Sequence, residues 1–334
     1  MKTVAIIGAT GAVGREMLSL LETRKFPVGQ LHCFASEKSK GQTVIFKKKR
    51  LPLRILDAES LSQIDLAFFC AGSTISKEWI PQAHCVVIDS SSAFRNIAPL
   101  IIPEINAHVL QPQHTLIASP NCATTVLLMP LAPLHRLFKI KRIVVSTYQA
   151  ASGAGAHWVG ELKNETKAFL ENRTYCHTLP YPYAFNLFPH PSSMTPSGYV
   201  EEEIKMLFET RKILEDETIQ VSATCIRVPV LRAHSLSVNV EFHQPFHLHA
   251  VYAALKATPG IQLFEEPNKF PTPLDATGKD EILCGRFRMD QSQTNTLEFW
   301  AVGDQLRKGA ALNAVQIAEL HTRGSCKTPP SSGL

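Results

Sequence analysis

A cysteine lies at a point of the sequence where a thiolate would be stabilised. Residues 119–125 read Ser-Pro-Asn-Cys-Ala-Thr-Thr, and apolar runs precede and follow them. This pattern predicts a buried strand, a turn and a helix that begins close to Cys122. Free N–H groups and the helix dipole favour an anion there, and the thiolate is the reactive form of cysteine. Cys122 is therefore a candidate nucleophile, the alternative being a small buried apolar residue.

A glycine-rich turn near the start of the chain indicates a nucleotide site. The apolar segment 3–8 leads into a Gly-x-x-Gly-x-x-Gly spacing, which an amphipathic run follows. Gly8 and Gly11 permit a tight turn and a close approach of the backbone to a pyrophosphate. Gly14 permits close packing of a helix on a strand. The spacing predicts the phosphate-binding turn of a dinucleotide-binding domain.

The residues after the second predicted strand bear on the choice of dinucleotide. Ser36, Glu37 and Lys38 directly follow the predicted strand 30–35. Serine and lysine can bind a 2′-phosphate, whereas a glutamate can bind a ribose hydroxyl. The balance favours NADP, with NAD as the alternative.

Composition and charge are those of a globular enzyme. The chain has 334 residues, of which 45% are hydrophobic and 19% charged, enough for about two domains. The net charge of +5 suits small anionic substrates and does not indicate nucleic acid. The basic run 47–50 is expected to be a solvated strand or loop, because no nucleic-acid motif accompanies it.

The eight cysteines are scattered and form no Cys-x-x-Cys pair, so no metal site is predicted. Cys33, Cys70, Cys85 and Cys225 lie in strand-like runs, which is typical of buried, reduced thiols in a cytoplasmic protein. Neither a signal peptide nor an apolar run of membrane-spanning length is apparent, so no membrane association is predicted.

Periodicity predicts two kinds of sheet. Up to Asn121 short strands and helices alternate, which predicts a parallel sheet with helices on both faces. After a helix from Cys122 to about His135, long alternating strands predict a mostly antiparallel sheet. The first part is predicted to have elements at 3–8, 12–23, 30–35, 54–56, 65–70, 76–82, 85–88 and 115–118. The second is predicted to have strands at 140–148, 219–228, 235–243 and 295–302.

The predicted fold class is α/β, with a Rossmann-like dinucleotide-binding domain followed by an α+β domain. The first domain is expected to span 1–121 and a closing helix within 306–321, and the second 122–305. Segment 176–198 is rich in proline and aromatic residues without a period, which indicates a functional or interfacial loop. A loose tail is expected over 322–334.

Seven short segments, in one order from residue 4 to about residue 320, carry a family resemblance. Each alone is weakly or moderately specific, whereas the set is highly specific. On these segments the sequence resembles the bacterial aspartate-β-semialdehyde dehydrogenases: 8–14, 91–95, 119–124, 146–155, 202–206, 227–235 and 306–313.

The resemblance implies a reaction between aspartyl 4-phosphate and NADPH that gives aspartate 4-semialdehyde, NADP and inorganic phosphate through a thioester on Cys122. The product would feed lysine (diaminopimelate), threonine and methionine biosynthesis. His234 would be the acid/base, because imidazole titrates near neutrality, and Gln149 would orient the substrate near the sulfur. Among thirteen histidines, only the resemblance and the spacing to Arg227 distinguish His234 from a core histidine.

The resemblance also implies a substrate clamp. Arg227 would hold the α-carboxylate through a bidentate fork, and Glu202 would bind the α-ammonium. Arg95 and Lys205 would bind phosphate. Without the resemblance, Glu202 and Lys205 would be interpreted as a solvated pair on one helix face, and Arg227 as a surface ion pair.

The cofactor contacts that the resemblance implies lie in both predicted domains. They are Gly8, Thr10, Gly11, Ala12, Val13, Gly14, Ser36, Glu37, Lys38, Ala71, Gly72, Ser152, Gly153 and Gln305. Three residues depart from the family pattern. Lys38 stands where arginine is common, which predicts a less strict choice of NADP, Ser90 stands where asparagine is usual, and His157 replaces a small residue.

The resembled family dimerises through its second domain, so a homodimer is expected. The alternative is that the aromatic side chains of Tyr181, Tyr183, Phe185 and Phe188 cover only their own core. Three other functions are considered: an N-acyl-glutamyl-phosphate reductase, a glyceraldehyde-phosphate dehydrogenase, and a non-catalytic NADP-binding redox sensor. The substrate clamp argues against the first and third of these functions, and the order of the motifs against the second.

Overall fold

The computed structural model describes residues 2–322, and the chain divides into two compact units. Within the described residues, the first comprises 2–120 and 310–322, and the second Asn121–Gly309. Asn121 and residues 306–309 thus belong to the second unit, whereas the sequence places them in the first domain. The cause is local, because Arg307 N and Gly309 N donate to the Asp304 carbonyl at the end of a strand of the second unit. Of the predicted tail, Thr322 ends a helix and 323–334 lie outside the described residues.

The helices combine long amphipathic segments with single turns. In chain order they are α1 (Ala12–Thr23), α2 (Ala58–Ser62), α3 (Ser73–Trp79), α4 (Pro103–Asn106), α5 (Cys122–Phe138), α6 (Ala156–Leu170), α7 (Glu201–Leu214), α8 (Leu248–Lys256), α9 (Pro273–Ala276) and α10 (Leu312–Thr322). Among residues 2–322, no helix has both the length and the apolar character needed to cross a bilayer.

The first unit is built on a seven-stranded sheet in the order β3-β4-β2-β1-β5-β6-β7. Its strands are β1 (Lys2–Ile7), β2 (Val28–Phe34), β3 (Thr43–Phe46), β4 (Lys49–Arg54), β5 (Leu66–Phe69), β6 (Val86–Asp89) and β7 (Leu116–Ala118). All neighbours are parallel except β3 and β4. Val4 and Ile6 belong to the core cluster shared with α1 and α10, whereas Ala5 and Ile7 belong to the opposite cluster. The predicted Rossmann-like sheet with two covered faces is confirmed.

The hairpin of β3 and β4 corrects the sequence prediction, which has only a strand at 54–56. Arg54 ends β4, and residues 55–57 are irregular. Lys47 and Lys48 form the turn with positive φ, and Lys49 and Arg50 begin β4 with exposed side chains. Charged residues on an edge hairpin obscure the apolar alternation that would reveal it.

The second unit has a seven-stranded sheet in the order β12-β13-β14-β11-β8-β10-β9. Its strands are β8 (Ile140–Gln149), β9 (Phe188–Pro189), β10 (Gln220–Arg227), β11 (His234–Phe242), β12 (Ile261–Phe264), β13 (Ile282–Met289) and β14 (Thr296–Gly303). Neighbours are antiparallel except in the pairs β8–β10 and β12–β13, which confirms the mostly antiparallel prediction. Four elements, α6, α8, β12 and β13, were not predicted from the sequence.

The irregular segment 176–198 is held by two buried carboxylates on α6. Glu165 Oε2 accepts hydrogen bonds from the backbone N–H groups of Tyr183 and Ala184, the second at 2.7 Å. Glu161 Oε1 accepts from Thr178 N at 2.9 Å. These bonds fix the path of the segment toward β9, which pairs with the end of β10.

Candidate active site

Cys122 is the first residue of α5, and Asn121 caps that helix. Asn121 Oδ1 accepts hydrogen bonds from Ala123 N at 2.8 Å and Thr124 N at 3.2 Å, so two of the unpaired N–H groups of the first turn are satisfied. The Cys122 side chain is half-buried. A sulfur at this position lies in the field of the helix N-terminus, which is the environment that the sequence predicts.

Asn121 also connects the cysteine to a buried acid. Its Nδ2 donates to Glu202 Oε1 at 2.7 Å, and its backbone N donates to Glu209 Oε2 at 2.7 Å. Both carboxylates lie on α7 and are buried. Asn121 is a site residue that was not predicted from the sequence, although asparagine before an apolar helical run is a recognisable cap.

Glu202 lies at the centre of a group of polar side chains. Gln149 Nε2, at the end of β8, lies 3.4 Å from Glu202 Oε1, and Lys205 Nζ lies 3.4 Å from Oε2. Burial opposes the charged carboxylate. Attraction by His190, Lys205 and Arg227, together with the Asn121 hydrogen bond, nevertheless lowers the pKa of Glu202 to about 2. The structure therefore brings Gln149, Glu202 and Lys205 together around an ionised carboxylate.

His234 begins β11 and is fully buried. Its Nδ1 accepts a hydrogen bond from Ala150 N at 3.0 Å. Because a backbone N–H can only donate, the neutral ring carries its proton on Nε2. Nε2 has no hydrogen-bond partner within residues 2–322. Burial, then the charge of Arg227, lowers the pKa of His234 to about 3.

Arg227 ends β10 and is buried. Its Nη1 donates to the Ala150 carbonyl at 3.1 Å, and its Nη2 lies 2.8 Å from His190 Nε2. Gly153 packs against both side chains. A Cβ atom at this glycine would lie 2.7 Å from His234 Cε1 and 3.1 Å from Arg227 Nη1. Arg227, His234 and Gly153 therefore form one contact group.

Two further predicted residues support this group. Gln305 Nε2 donates to Ser152 Oγ, and Gln305 Oε1 accepts from Ala233 N at 2.9 Å. This glutamine therefore connects the turn after β8 to the residue before His234. Its side chain serves as a brace of the site in addition to any contact with a cofactor.

A glycine within the segment 306–313 lies against Cys122. Gly309 belongs to the π-helical turn Arg307–Ala311. A Cβ atom at position 309 would lie 2.9 Å from the Cys122 Cβ and 3.3 Å from its Cα. This approach is closer than packed carbon atoms allow, so only glycine fits. The family segment 306–313 includes Gly309, but sequence spacing alone does not indicate that this glycine contacts Cys122.

The first unit carries the glycine-rich turn. Gly8 has φ +94°, and a Cβ atom there would lie 2.9 Å from the Cys70 carbonyl carbon. A Cβ atom on Gly14 would overlap the Gly8 carbonyl. Ala12, Val13 and Gly14 open α1, whose N-cap is Gly11. The backbone is thus shaped as the phosphate-binding turn requires.

A cavity of about 510 Å³ adjoins this turn and is large enough for a nucleoside. Five predicted residues line it: Gly8, Thr10, Gly11, Ser36 and Ala71. Further lining residues were not predicted, among them Ile55, Ile75, Glu78 and Trp79. Glu37 and Lys38 form an exposed turn next to Ser36, and Gly72 caps α3 with φ +92°.

Arg95 also belongs to the first unit and is buried. Its Nε donates to the Ser119 carbonyl at 3.0 Å and its Nη2 to the Ser90 carbonyl at 3.1 Å. Ser90, one of the departures from the family pattern, thus contacts Arg95 through its backbone. Within residues 2–322, no group of three or more His, Cys, Asp or Glu side chains is arranged to hold a metal ion.

Comparisons with known proteins identify the family of the chain. The family model described as "Semialdehyde dehydrogenase, NAD binding domain" matches residues 3–113, and "Semialdehyde dehydrogenase, dimerisation domain" matches residues 131–308. The aspartate-semialdehyde dehydrogenase of Synechocystis sp. is 50% identical over 325 residues, which are 95% of this chain and 96% of that protein. That of Prochlorococcus marinus is 48% identical over 326 residues, 95% of each chain.

A solved structure is similar over almost the whole length. Aspartate semialdehyde dehydrogenase II of Vibrio cholerae, complexed with ASA, matches with a TM-score of 0.92 and 41% identity, covering 97% of this chain and 98% of that one. The same family is thus indicated by two family models, by relatives of nearly equal length and by the fold. The chain belongs to the aspartate-semialdehyde dehydrogenase family.

Proposed function

We propose that the protein reduces aspartyl 4-phosphate to aspartate 4-semialdehyde with release of inorganic phosphate, and catalyses the reverse reaction when semialdehyde and phosphate are supplied. The observation that carries the proposal is a cysteine at a helix N-terminus whose capping residue binds a buried carboxylate. The named activity of the relatives supports it. The product would enter lysine (diaminopimelate), threonine and methionine biosynthesis, in a cytoplasmic setting.

Cys122 is the nucleophile in this proposal. Its thiolate attacks the acyl carbon of aspartyl 4-phosphate, a C–S bond forms, and the C–O bond to phosphate breaks. The products of this step are a thioester on Cys122 and inorganic phosphate. In the reverse direction a phosphate oxygen attacks the thioester and the thiolate leaves. The N-terminus of α5 stabilises the thiolate in both directions.

A nicotinamide cofactor bound to the first unit would supply a hydride to the thioester carbon, or accept one in the reverse direction. The glycine-rich turn and the adjoining cavity fit a dinucleotide. Side chains at Gly8 and Gly14 would collide with neighbouring backbone, so the tight turn depends on these glycines. We assign the 2′-phosphate to Ser36 and Lys38, and therefore propose NADP rather than NAD.

His234 acts on the substrate oxygen. Its Nε2 holds the proton of the neutral ring and has no partner within the described part of the chain. This N–H donates to the oxygen of the thiohemiacetal, where negative charge develops. When the C–S bond breaks, that oxygen becomes the aldehyde carbonyl and Cys122 leaves as the thiolate.

The remaining predicted residues bind the ends of the substrate. Arg227 holds the α-carboxylate, and the ionised Glu202 binds the α-ammonium. Gln149 orients the carbonyl beside the sulfur. Lys205 and Arg95 are assigned to the phosphate group.

We also propose a homodimer formed through the second unit. Several large apolar side chains of this unit are exposed, and some of them line a cavity of about 480 Å³. They include Phe169, Leu170, Phe185, Leu187 and Leu231. The description of the matching family model as a dimerisation domain supports this proposal.

The test is a spectrophotometric assay of NADP reduction with aspartate semialdehyde and phosphate, each omitted in turn. We expect activity only when all three components are present, and lower activity with NAD in place of NADP. Preference for an N-acyl-glutamate semialdehyde would instead support the reductase. Cofactor binding without turnover of either aldehyde would support the redox sensor.

A further inference from the structure

A histidine that neither the family motifs nor the spacing identifies contacts the proposed carboxylate-binding arginine. His190 directly follows β9, and its backbone N donates to the Cys225 carbonyl at 2.8 Å. In the same ladder Phe188 pairs with Arg227. The backbone of the irregular segment is therefore docked on β10 beside the arginine.

The contact between the two side chains determines the tautomer of His190. Arg227 Nη2 lies 2.8 Å from His190 Nε2, and a guanidinium has only donors. Nε2 must therefore accept, and the proton of the neutral ring lies on Nδ1. Ser192 N also approaches Nδ1 at 3.3 Å, but this longer contact would require the other tautomer and would turn an N–H toward the guanidinium.

The opposite edge of the ring continues the connection. His190 Nδ1 lies 3.1 Å from Ser192 Oγ, and that oxygen accepts from Glu202 N at 3.2 Å. A chain of hydrogen bonds thus runs from Arg227 through His190 and Ser192 to the first turn of α7. This turn carries Glu202, which we assign to the α-ammonium.

The His190 imidazole is held in its neutral form, which this chain of hydrogen bonds requires. Burial, followed by the positive charge of Arg227, lowers the pKa of His190 to about 4, while Glu202 acts in the opposite direction and Lys205 in the same one. The ring therefore remains a neutral acceptor near pH 7. With the Ala150 carbonyl on Nη1, both terminal nitrogens of Arg227 have a protein acceptor that fixes the guanidinium plane.

We propose that His190 is a positioning residue for the substrate clamp, fixing the guanidinium of Arg227 and its separation from Glu202. This inference rests on the proposed function. It assigns to the segment 176–198 a part in recognising an α-amino acid: the segment sets the distance between the carboxylate and ammonium sites. His190 does not touch the reacting atoms.

Three variants test the proposal. His190→Ala removes the acceptor, His190→Gln restores one through its amide oxygen, and His177→Ala is the matched control. His177 lies on the same segment but contacts Glu165 instead of the arginine. Each variant is assayed with aspartate semialdehyde and with 3-aminopropanal, which has the ammonium and the aldehyde but no carboxylate.

We expect His190→Ala to raise KM for aspartate semialdehyde by about tenfold, the effect of one hydrogen bond to a charged group, with KM for NADP and phosphate unchanged. His190→Gln should recover most of this loss. With 3-aminopropanal, the Ala variant and the parent should be equally slow, because Arg227 has no carboxylate to hold.

Other outcomes would overturn the proposal. An unchanged KM in His190→Ala would show that Arg227 needs no support from the ring. An equal rise in His177→Ala would show that only the order of the segment matters. If the parent protein itself did not turn over aspartate semialdehyde, the proposed function would fail instead, and this result is distinct from both.

Discussion

At the scale of single residues, the setting of Cys122 distinguishes it from the other described cysteines. Burial raises the pKa of the Cys33 and Cys225 thiols to about 12, so these thiols are inert at neutral pH. Cys85 is also buried, as the sequence predicts, whereas Cys70 is half-buried directly after β5. Among the described cysteines, only Cys122 begins a capped helix, which is an environment that favours a nucleophilic thiolate.

Replacement of the nucleophile should separate binding from chemistry. Cys122→Ala should retain cofactor binding and lose turnover by several orders of magnitude, because no thioester can form. Cys122→Ser should also be nearly inactive, since an alkoxide is scarce at neutral pH and is a poorer leaving group. Steady-state rates together with a fluorescence titration of the cofactor measure the two properties. Near-normal phosphate-dependent activity of Cys122→Ala would refute the mechanism.

Buried titratable groups should make the second unit sensitive to acid. His234 and His190 have pKa values lowered from 6.5 to about 3 and about 4, and that of Glu202 is lowered from 4.5 to about 2. As the pH falls, the unfolded chain therefore binds more protons at these groups than the folded chain does. The stability that these groups contribute should be complete above about pH 6.5 and should decline as the pH falls toward about 2, the lowest of the three folded-state values.

The measurement is the melting temperature between about pH 7.5 and 4, for the parent and for His190→Gln. Because glutamine does not titrate, the variant should lose less stability over the lower part of this range. Identical pH dependence would mean that His190 keeps the same pKa in the folded and unfolded chains.

At the scale of elements, close approaches of glycine backbone bring the segments of the site together. Gly153 follows β8 and packs on the side chains that end β10 and begin β11, and Gly309 places a π-helical turn against the start of α5. A side chain at either position would occupy space that these elements already fill. The geometry of the site thus depends on main-chain packing as well as on its polar side chains.

Gly153→Ala should therefore damage the site. The new methyl group would lie 2.8 Å from His234 Nε2, so the ring must move, and we expect kcat/KM to fall by at least about tenfold. The matched control is Gly160→Ala in α6, where a Cβ atom meets no neighbouring part of residues 2–322 within 4 Å. The control should keep full activity and gain roughly 0.5–1 kcal/mol of stability. Equal activity of the two variants would contradict the close packing.

At the scale of the whole molecule, the exposed apolar surface of the second unit bears on assembly. The rings of Phe169 and Phe185 contact each other with centroids 4.8 Å apart, and the two side chains are 65% and 62% exposed. Such a patch, larger than scattered single residues, is typical of an interface. Tyr183 and Phe188, in contrast, are buried in the core of their own unit, as the alternative to an interface role predicts.

Sedimentation at micromolar concentration should show a species of at least twice the monomer mass. Phe185→Asp should shift the protein toward monomer, because it buries a charge in the proposed interface. Leu274→Asp is the control, since Leu274 is 89% exposed but does not line the cavity beside Phe185. A fully active monomer would reject the dimer, whereas a tetramer would leave this interface in place within a larger assembly.

The sequence by itself determined what local patterns encode. The glycine spacing and short apolar strands predict the dinucleotide unit, and the run around Cys122 predicts its helix, because turns, caps and periodicity act over a few residues. It does not reveal α6, α8, β12 and β13; β12 has only four residues, and Arg286 and Arg288 interrupt the apolar run of β13. The edge hairpin of β3 and β4 is hidden for a similar reason.

Only the tertiary structure decided which distant residues meet. Asn121 binds Glu202 across 81 residues, His190 reaches Arg227 across 37, and Gly309 packs against Cys122. The His190 contact follows from the docking of β9 on β10, and the Asn121 contact from the packing of α5 against α7. Strand order and register are set by burial of the whole sheet against its helices, so no short segment of sequence contains them.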